Sequence, residues 1–225
     1  MKTYLTTSIR TEGAVKIDIK KTILNDPHRP GQEMYLEGAG GVWHFERDEI
    51  FNEAWTRNFE QQTNLWVTGA FVFWRKGDYQ HPGAHIDTYP RNGELESIPA
   101  SFNWVLDRDP FSYMCWYEPW WDADDAVECE RAAQGLIPHP DSATTQADYG
   151  TMSYQETPVE LLKEIERISV GTERVTMCRT NIPHTVWTSD RDRWCVSLRI
   201  GYEHAPRQWQ DLVAHVAPVA LASQT

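Results

Sequence analysis

His81-Pro-Gly-Ala-His85-Ile-Asp87 places imidazoles and a carboxylate close together. About a hundred residues later, Asn181-Ile-Pro-His184 is followed by Arg193-Trp-Cys-Val-Ser197. Two His and one carboxylate on one face of an octahedron hold redox-active iron(II) while leaving coordination positions open. Residues i and i+2 of an extended chain point to the same side, so His85 and Asp87 on a strand can address one ion. With His184 brought alongside, the set suits an oxygen-using enzyme.

His-x-acid triplets are common, and roughly one is expected by chance from eight His and thirty-three acidic residues. This chain has three. His139-Pro-Asp141 sits in a proline-rich stretch and reads as a solvated loop. His44-Phe-Glu46 has suitable local geometry but no partners downstream. His85-Ile-Asp87 gains weight from the distal island. In an extended segment Arg193, Cys195, Ser197 and Arg199 share one face, and Trp194, Val196, Leu198 and Ile200 the other. Two arginines and a serine facing one way are costly to bury unless something anionic meets them. A guanidinium fork clamping a carboxylate is the natural partner. The alternative is a surface strand with solvated arginines, against which Cys195 on that face argues.

These residues need a scaffold. Strand-like runs cover 14–19, 41–45, 65–74, 101–106, 113–117, 174–179 and 194–200, with Asp107-Arg-Asp-Pro110 a good turn. Helical spacing predicts helices over 48–59, 157–168 and 206–216; the second is signalled by Thr157, Pro158 and Glu160 at N-cap, N1 and N3. Most of the eleven Trp, including Trp66, Trp74, Trp104, Trp116 and Trp194, fall in strand-like runs and read as core aromatics. The pattern predicts a mainly β fold with flanking helices, as a β-sandwich or jelly roll.

At 225 residues the chain suits one domain, 1–225. A net charge of −12 disfavours nucleic acid, whose binding rests on Lys and Arg neutralising phosphates. No apolar run reaches a membrane span and the N-terminus has no apolar signal core, so a cytoplasmic protein is expected. Cys115, Cys129, Cys178 and Cys195 lack CxxC spacing and read as reduced thiols. The acidic stretch 118–156 breaks the pattern and is a candidate lid insertion. Within it Trp120 and Trp121 beside Asp122, Asp124 and Asp125 suggest an aromatic, negative mouth for an amine-bearing substrate.

The two islands resemble the iron(II)- and 2-oxoglutarate-dependent oxygenases, in which His-x-Asp, a distal His and then an Arg or Lys recur in that order. Here these map to His85, Asp87, His184 and Arg193. Arg193-x-x-x-Ser197 is similar to the prolyl-hydroxylase-like branch, and 101–106 with Met114-Cys-Trp-Tyr117 to small aspartyl/asparaginyl-hydroxylase-like members. The resemblance covers about 80–117 and 173–202. It implies a double-stranded β-helix (jelly-roll, cupin-like) core, with iron on His85, Asp87 and His184 as the catalytic set. It further implies Arg193 and Ser197 on the distal carboxylate of 2-oxoglutarate, and Ser101 or Asn103 assisting. Arg199 is the alternative anchor, since some branches place it about fifteen residues after the distal His; the other arginine is then free for a substrate carboxylate. The implied reaction consumes O2 and 2-oxoglutarate, releases succinate and CO2, and oxidises a small organic molecule, by hydroxylation, desaturation or a related oxidation rather than halogenation because Asp87 is intact. The acidic, aromatic stretch points to an amino-acid-like or alkaloid-like substrate. Two other readings stay open: a cupin-like metalloenzyme without 2-oxoglutarate, and a non-catalytic ligand-binding β-sandwich with His85 and His184 as core histidines.

Overall fold

The computed structural model describes residues 2–26, 33–35, 40–78, 83–91, 94–140, 145–149, 152–201 and 206–222. His81 and Asp141 lie outside them. The chain begins with β1 (Tyr4–Arg10), α1 (Ile19–Asn25), β2 (Glu33–Tyr35), β3 (Gly40–Glu46), α2 (Arg47–Ile50) and α3 (Glu53–Thr63). It continues through β4 (Val67–Arg75), β5 (Gly83–Ala84), β6 (Thr88–Arg91), β7 (Glu94–Ser97), β8 (Ala100–Val105) and β9 (Tyr113–Tyr117). Then come α4 (Ala126–Ala133), β10 (Thr145–Tyr149), β11 (Met152–Pro158), β12 (Glu164–Ile168), β13 (Arg174–Arg179), β14 (His184–Trp187), β15 (Arg193–Ile200) and α5 (Trp209–Val216).

A seven-stranded sheet in the order β1-β13-β8-β15-β4-β3-β2 forms the backbone of the fold. Smaller sheets run β12-β9-β14, β10-β11-β5 and β6-β7, and every pairing is antiparallel. Alternation along β15 sets the two faces of the large sheet. Val196 and Leu198, with Val72, Phe102, Trp104 and Met177 from neighbouring strands, pack under α1, α3 and α5. Trp55 of α3 stacks on Phe51 and Phe59 at 5.6 and 5.7 Å between ring centroids, an aromatic seam that seats the helix on the sheet. Cys195, Val105, Phe73 and Cys178 point the other way and meet Met114, Trp116, Ile168 and Val186 of the three-stranded sheet. The site residues lie between these two sheets.

Six of the seven predicted strand runs are strands, 113–117 and 174–179 with the predicted ends and the other four with shifted ones, and 14–19 is not. Asp18 instead accepts a hydrogen bond from Lys21 N at 3.1 Å and caps α1. The helix predicted over 48–59 is interrupted at Phe51, because Asn52 caps a fresh helix by accepting from Ala54 N at 3.1 Å. The helix predicted over 157–168 is overturned. One 3-10 turn (Val159–Leu161) follows β11, and Glu164–Ile168 pairs along β9. Sheet pairing outweighs the cap signals, and Leu161 and Ile165 of the supposed apolar stripe are 42% and 37% exposed. The predicted helix 206–216 is α5. Trp104 and Trp116 are core residues as expected, whereas Trp66 is 59% exposed under the Arg47 guanidinium, 4.6 Å from its ring.

The turn after β8 is tied to the loop that leads into β15. Asp109 accepts hydrogen bonds from the Ser112 hydroxyl, from the Ser189 hydroxyl at 2.7 Å and from Phe111 N at 3.1 Å. Burial pushes the Asp109 pKa up, but these donors and Arg191 outweigh it and hold it below the ordinary 3.8. A depressed folded-state pKa stabilises the fold above the unfolded value and is lost as pH falls through the folded one. Asp109→Asn should therefore cost ~1–3 kcal/mol in urea unfolding at pH 7. The gap to wild type should narrow as pH falls below ~4. No helix among the described residues is long and apolar enough to cross a membrane.

Candidate metal centre

His85 and His184 form an isolated antiparallel bridge: His85 N donates to the His184 carbonyl at 3.0 Å and His184 N to the His85 carbonyl at 2.9 Å. Two residues on, Asp87 N donates to the Thr180 carbonyl at 2.9 Å. The main chain thus places three potential ligands side by side. His184 Nε2 and His85 Nε2 lie 3.4 and 3.6 Å from Asp87 Oδ1, and one ligand atom from each residue falls within 4.8 Å of the others. Two ligands each ~2.1 Å from an octahedral ion sit ~3 Å apart, so this set closes on a metal with little movement.

The His184 tautomer is set by its surroundings. Its Nδ1 is 3.0 Å from the Ile182 carbonyl, which can only accept, so Nδ1 carries a proton and Nε2 is the nitrogen available to an ion. The His184 side chain is 4% exposed, His85 13% and Asp87 26%, so the trio is sealed on the His184 side and open beside Asp87. Among the described residues no other group of three His, Cys, Asp or Glu side chains is this compact. His44 does approach Glu46 at 3.6 Å, but that pair is largely exposed and has no third member.

The residues expected to hold an anion share the inner face of β8 and β15. Ser197 is the cross-strand partner of Asn103. Asn103 donates to the Ser101 hydroxyl at 2.8 Å, while its own Oδ1 is buried without a hydrogen-bond partner. Arg193 is 7% exposed and pairs with no carboxylate among the described residues. Cys178 lies between the two groups. Burial pushes its thiol up to about 12, an Asn103 hydrogen bond lowers it, and Arg193 and Asp87 both act on it through charge. Arg199 shares this face and lies with Cζ 4.0 Å from the Phe71 ring centroid. The structure therefore brings His85, Asp87 and His184 together, and lines the adjoining interior with Ser101, Asn103, Arg193 and Ser197.

The acidic mouth expected in 118–156 is not formed as expected. Asp125 caps α4, accepting from Val127 N and Glu128 N, and Asp124 pairs with Arg179 at 3.0 Å. Asp122 accepts from Asp124 N at 3.0 Å. These carboxylates are committed to local structure. The tryptophans do border the candidate ligands: a small cleft opens beside His85 between Ala84, Ile86, Trp120, Trp121 and Thr157. Of the stretch itself, 141–144 and 150–151 lie outside the described residues.

Arg179 escaped the sequence reading. It is fully buried at the end of β13, donates to the Ala123 carbonyl, to Asp124 and to Asn181 Oδ1 at 2.8 Å, and accepts from Trp116 Nε1 at 2.6 Å through its carbonyl. Burial pulls its pKa down while Asp124 supports the charge. The segment it anchors carries the Thr180 and Ile182 carbonyls that hold Asp87 and His184. An arginine ending the apolar run Val175 to Cys178 was the available signal. Arg179→Met should destabilise by ~2–3 kcal/mol in urea unfolding, since the Ala123 and Asn181 oxygens lose their donor while half-exposed Asp124 rehydrates. Metal affinity should fall with it. Arg75, across from Arg193 in the β4–β15 register, was also passed over, although Phe71-x-Phe73-x-Arg75 alternates onto the inner face.

Compared with known proteins, the chain matches no family model and no curated protein sequence, so the functional reading rests on the geometry of the site.

Proposed function

We propose that this chain is a non-haem iron(II)- and 2-oxoglutarate-dependent dioxygenase that oxidises a small organic molecule. The observation that carries the reading is the facial set of His85, Asp87 and His184 beside a buried arginine with no carboxylate of its own among the described residues. The strand order supports it. In the large sheet β13-β8-β15-β4 alternate with β12-β9-β14 of the facing sheet in the manner of a double-stranded β-helix, and the His85–His184 bridge extends the smaller sheet to the first ligand. Four buried free thiols suit the reducing cytoplasm where this reading places the protein.

The residues fit the group. Two neutral imidazole nitrogens and one carboxylate suit iron(II) and leave positions for a bidentate keto acid and O2. When bound, iron and 2-oxoglutarate supply the oxidising chemistry: O2 and 2-oxoglutarate yield succinate and CO2, and one oxygen atom is delivered to the substrate. The protein's part is placement. Ile182 fixes the His184 tautomer, and Thr180 fixes the Asp87 main chain. Arg193 and Ser197 receive the distal carboxylate of 2-oxoglutarate between the sheets, where exclusion of water strengthens that contact. An Asp at position 87, in place of a small residue, fills the third protein position and favours hydroxylation over halogenation.

Anaerobic addition of iron(II) and 2-oxoglutarate is expected to give the weak visible charge-transfer band of a chelated keto acid, and air should then release succinate. No band and no succinate would overturn the proposal. Iron binding without any effect of 2-oxoglutarate would favour a cupin-like metalloenzyme instead.

A further inference from the structure

Resting on that reading, we infer that the substrate carries a carboxylate and that Arg199 receives it. Position comes first. Ser197 pairs with Asn103 and Leu198 with Phe102, so one more step of the register sets Arg199 opposite Ser101. Ser101 pairs with Cys178, and two residues beyond Cys178 the Thr180 carbonyl holds Asp87. Arg199 thus stands at the metal end of the large sheet. Arg193 lies six residues back along the same strand, ~20 Å away at ~3.3 Å per residue. That separation is between main chains, and the distal carboxylate of one five-carbon dianion can meet only one of the two guanidinium groups; with Arg193 holding it, Arg199 is left to a different carboxylate.

Charge points the same way. An iron(II) ion, the Asp87 carboxylate, doubly ionised 2-oxoglutarate and the Arg193 guanidinium balance one another, so the Arg199 charge is additional to that balance, as is the Arg75 charge at the far end of the same face. The inner faces of β4, β8, β13 and β15 carry no acid, and Phe71 and Ser101 flank Arg199 there. Glu46, two strands away, lies against His44. In a chain with 33 acidic against 21 basic residues, the missing carboxylate is a local feature of this face. Geometry completes the case. Phe71 takes the flat face of the guanidinium, which fixes the group while its in-plane N–H donors stay available for a bidentate carboxylate.

The test uses zinc-loaded protein saturated with 2-oxoglutarate, titrated by tryptophan fluorescence with N-acetyl-L-leucine, N-acetyl-L-phenylalanine, N-acetyl-L-lysine and their carboxamides. At least one acid should bind ~10-fold or more tighter than its amide, as a charge-assisted bidentate pair predicts. Arg199→Gln should abolish that preference, Arg199→Lys should keep part of it, and 2-oxoglutarate affinity should stay within ~2-fold in both. No acid preferred over its amide, or a preference intact in Arg199→Gln, would overturn the inference and leave the proposed function standing. So would loss of 2-oxoglutarate binding in Arg199→Gln but not in Arg193→Gln, which would make Arg199 the co-substrate anchor. Failure of wild-type protein to bind 2-oxoglutarate at all would remove both.

Discussion

His184→Ala is expected to weaken iron(II) binding by more than ~100-fold, because loss of an outer partner alone typically costs ~10–100-fold and this change deletes a ligand. Succinate formation should fall to background, and the charge-transfer band should disappear at iron concentrations that saturate wild type. His184 is also 3% exposed, so the variant loses packing as well as a ligand. His184→Gln keeps most of the volume and separates the two effects: it should melt close to apo wild type while still failing to hold iron. The discriminating comparison is melting with and without metal. Wild type should be stabilised by iron(II), by ~2.7 kcal/mol at a hundredfold excess over Kd, and His184→Gln should not. If His184→Ala bound metal as tightly as wild type, His184 would be an ordinary core histidine, and the ligand-binding sandwich would become the better reading.

Arg193→Met is expected to produce two effects of opposite sign. Arg193 is buried between the sheets with no carboxylate partner among the described residues, beside Cys195, whose thiol is pushed up mainly by burial and drawn down by Arg193. Holding an uncompensated guanidinium there costs the empty protein stability, and an apolar side chain of similar volume is typically neutral or stabilising by ~1–4 kcal/mol. The apo variant should melt at or above wild type. Its Kd for 2-oxoglutarate should rise ~10²–10³-fold, since truncating one member of a buried charge pair costs ~2–5 kcal/mol. Iron binding without co-substrate should be unchanged. A merely structural arginine would lower stability and leave 2-oxoglutarate affinity alone, so a melting scan and a titration of one variant decide between the roles.

The candidate metal centre was legible because its information is local twice over. His85-Ile-Asp87 needs only an extended chain to present both ligands, and alternation along 193–200 sorts Arg193, Cys195 and Ser197 from Val196 and Leu198 without reference to the rest of the fold. What joins the islands is not local. The His85–His184 bridge spans nearly a hundred residues, and no periodicity announces it. The helix expected over 157–168 failed for the same reason. Thr157, Pro158 and Glu160 are sound start signals, but residues 164–168 lie along the edge of β9 that β14 does not take and pair there, a tertiary contact that local signals do not carry. Asp124 and Asp125 misled in another way. A run of acids looks like a surface field until one member is seen capping α4 and another facing buried Arg179. Arg179 went unnoticed because a lone arginine after Val175 to Cys178 is indistinguishable in sequence from a strand end at the surface.

The main-chain pairing beneath the ligands has an evolutionary consequence. His85 and His184 are held to each other, and Asp87 to Thr180, entirely through peptide N–H and C=O groups. The peptide geometry is the same whatever side chain hangs from it. A substitution at position 87 therefore changes what is offered to the ion without dismantling the frame that offers it, and the cost of exploring a new ligand set is confined to the ion itself. Selection can trade one reactivity for another at this site by point changes that leave the frame in place.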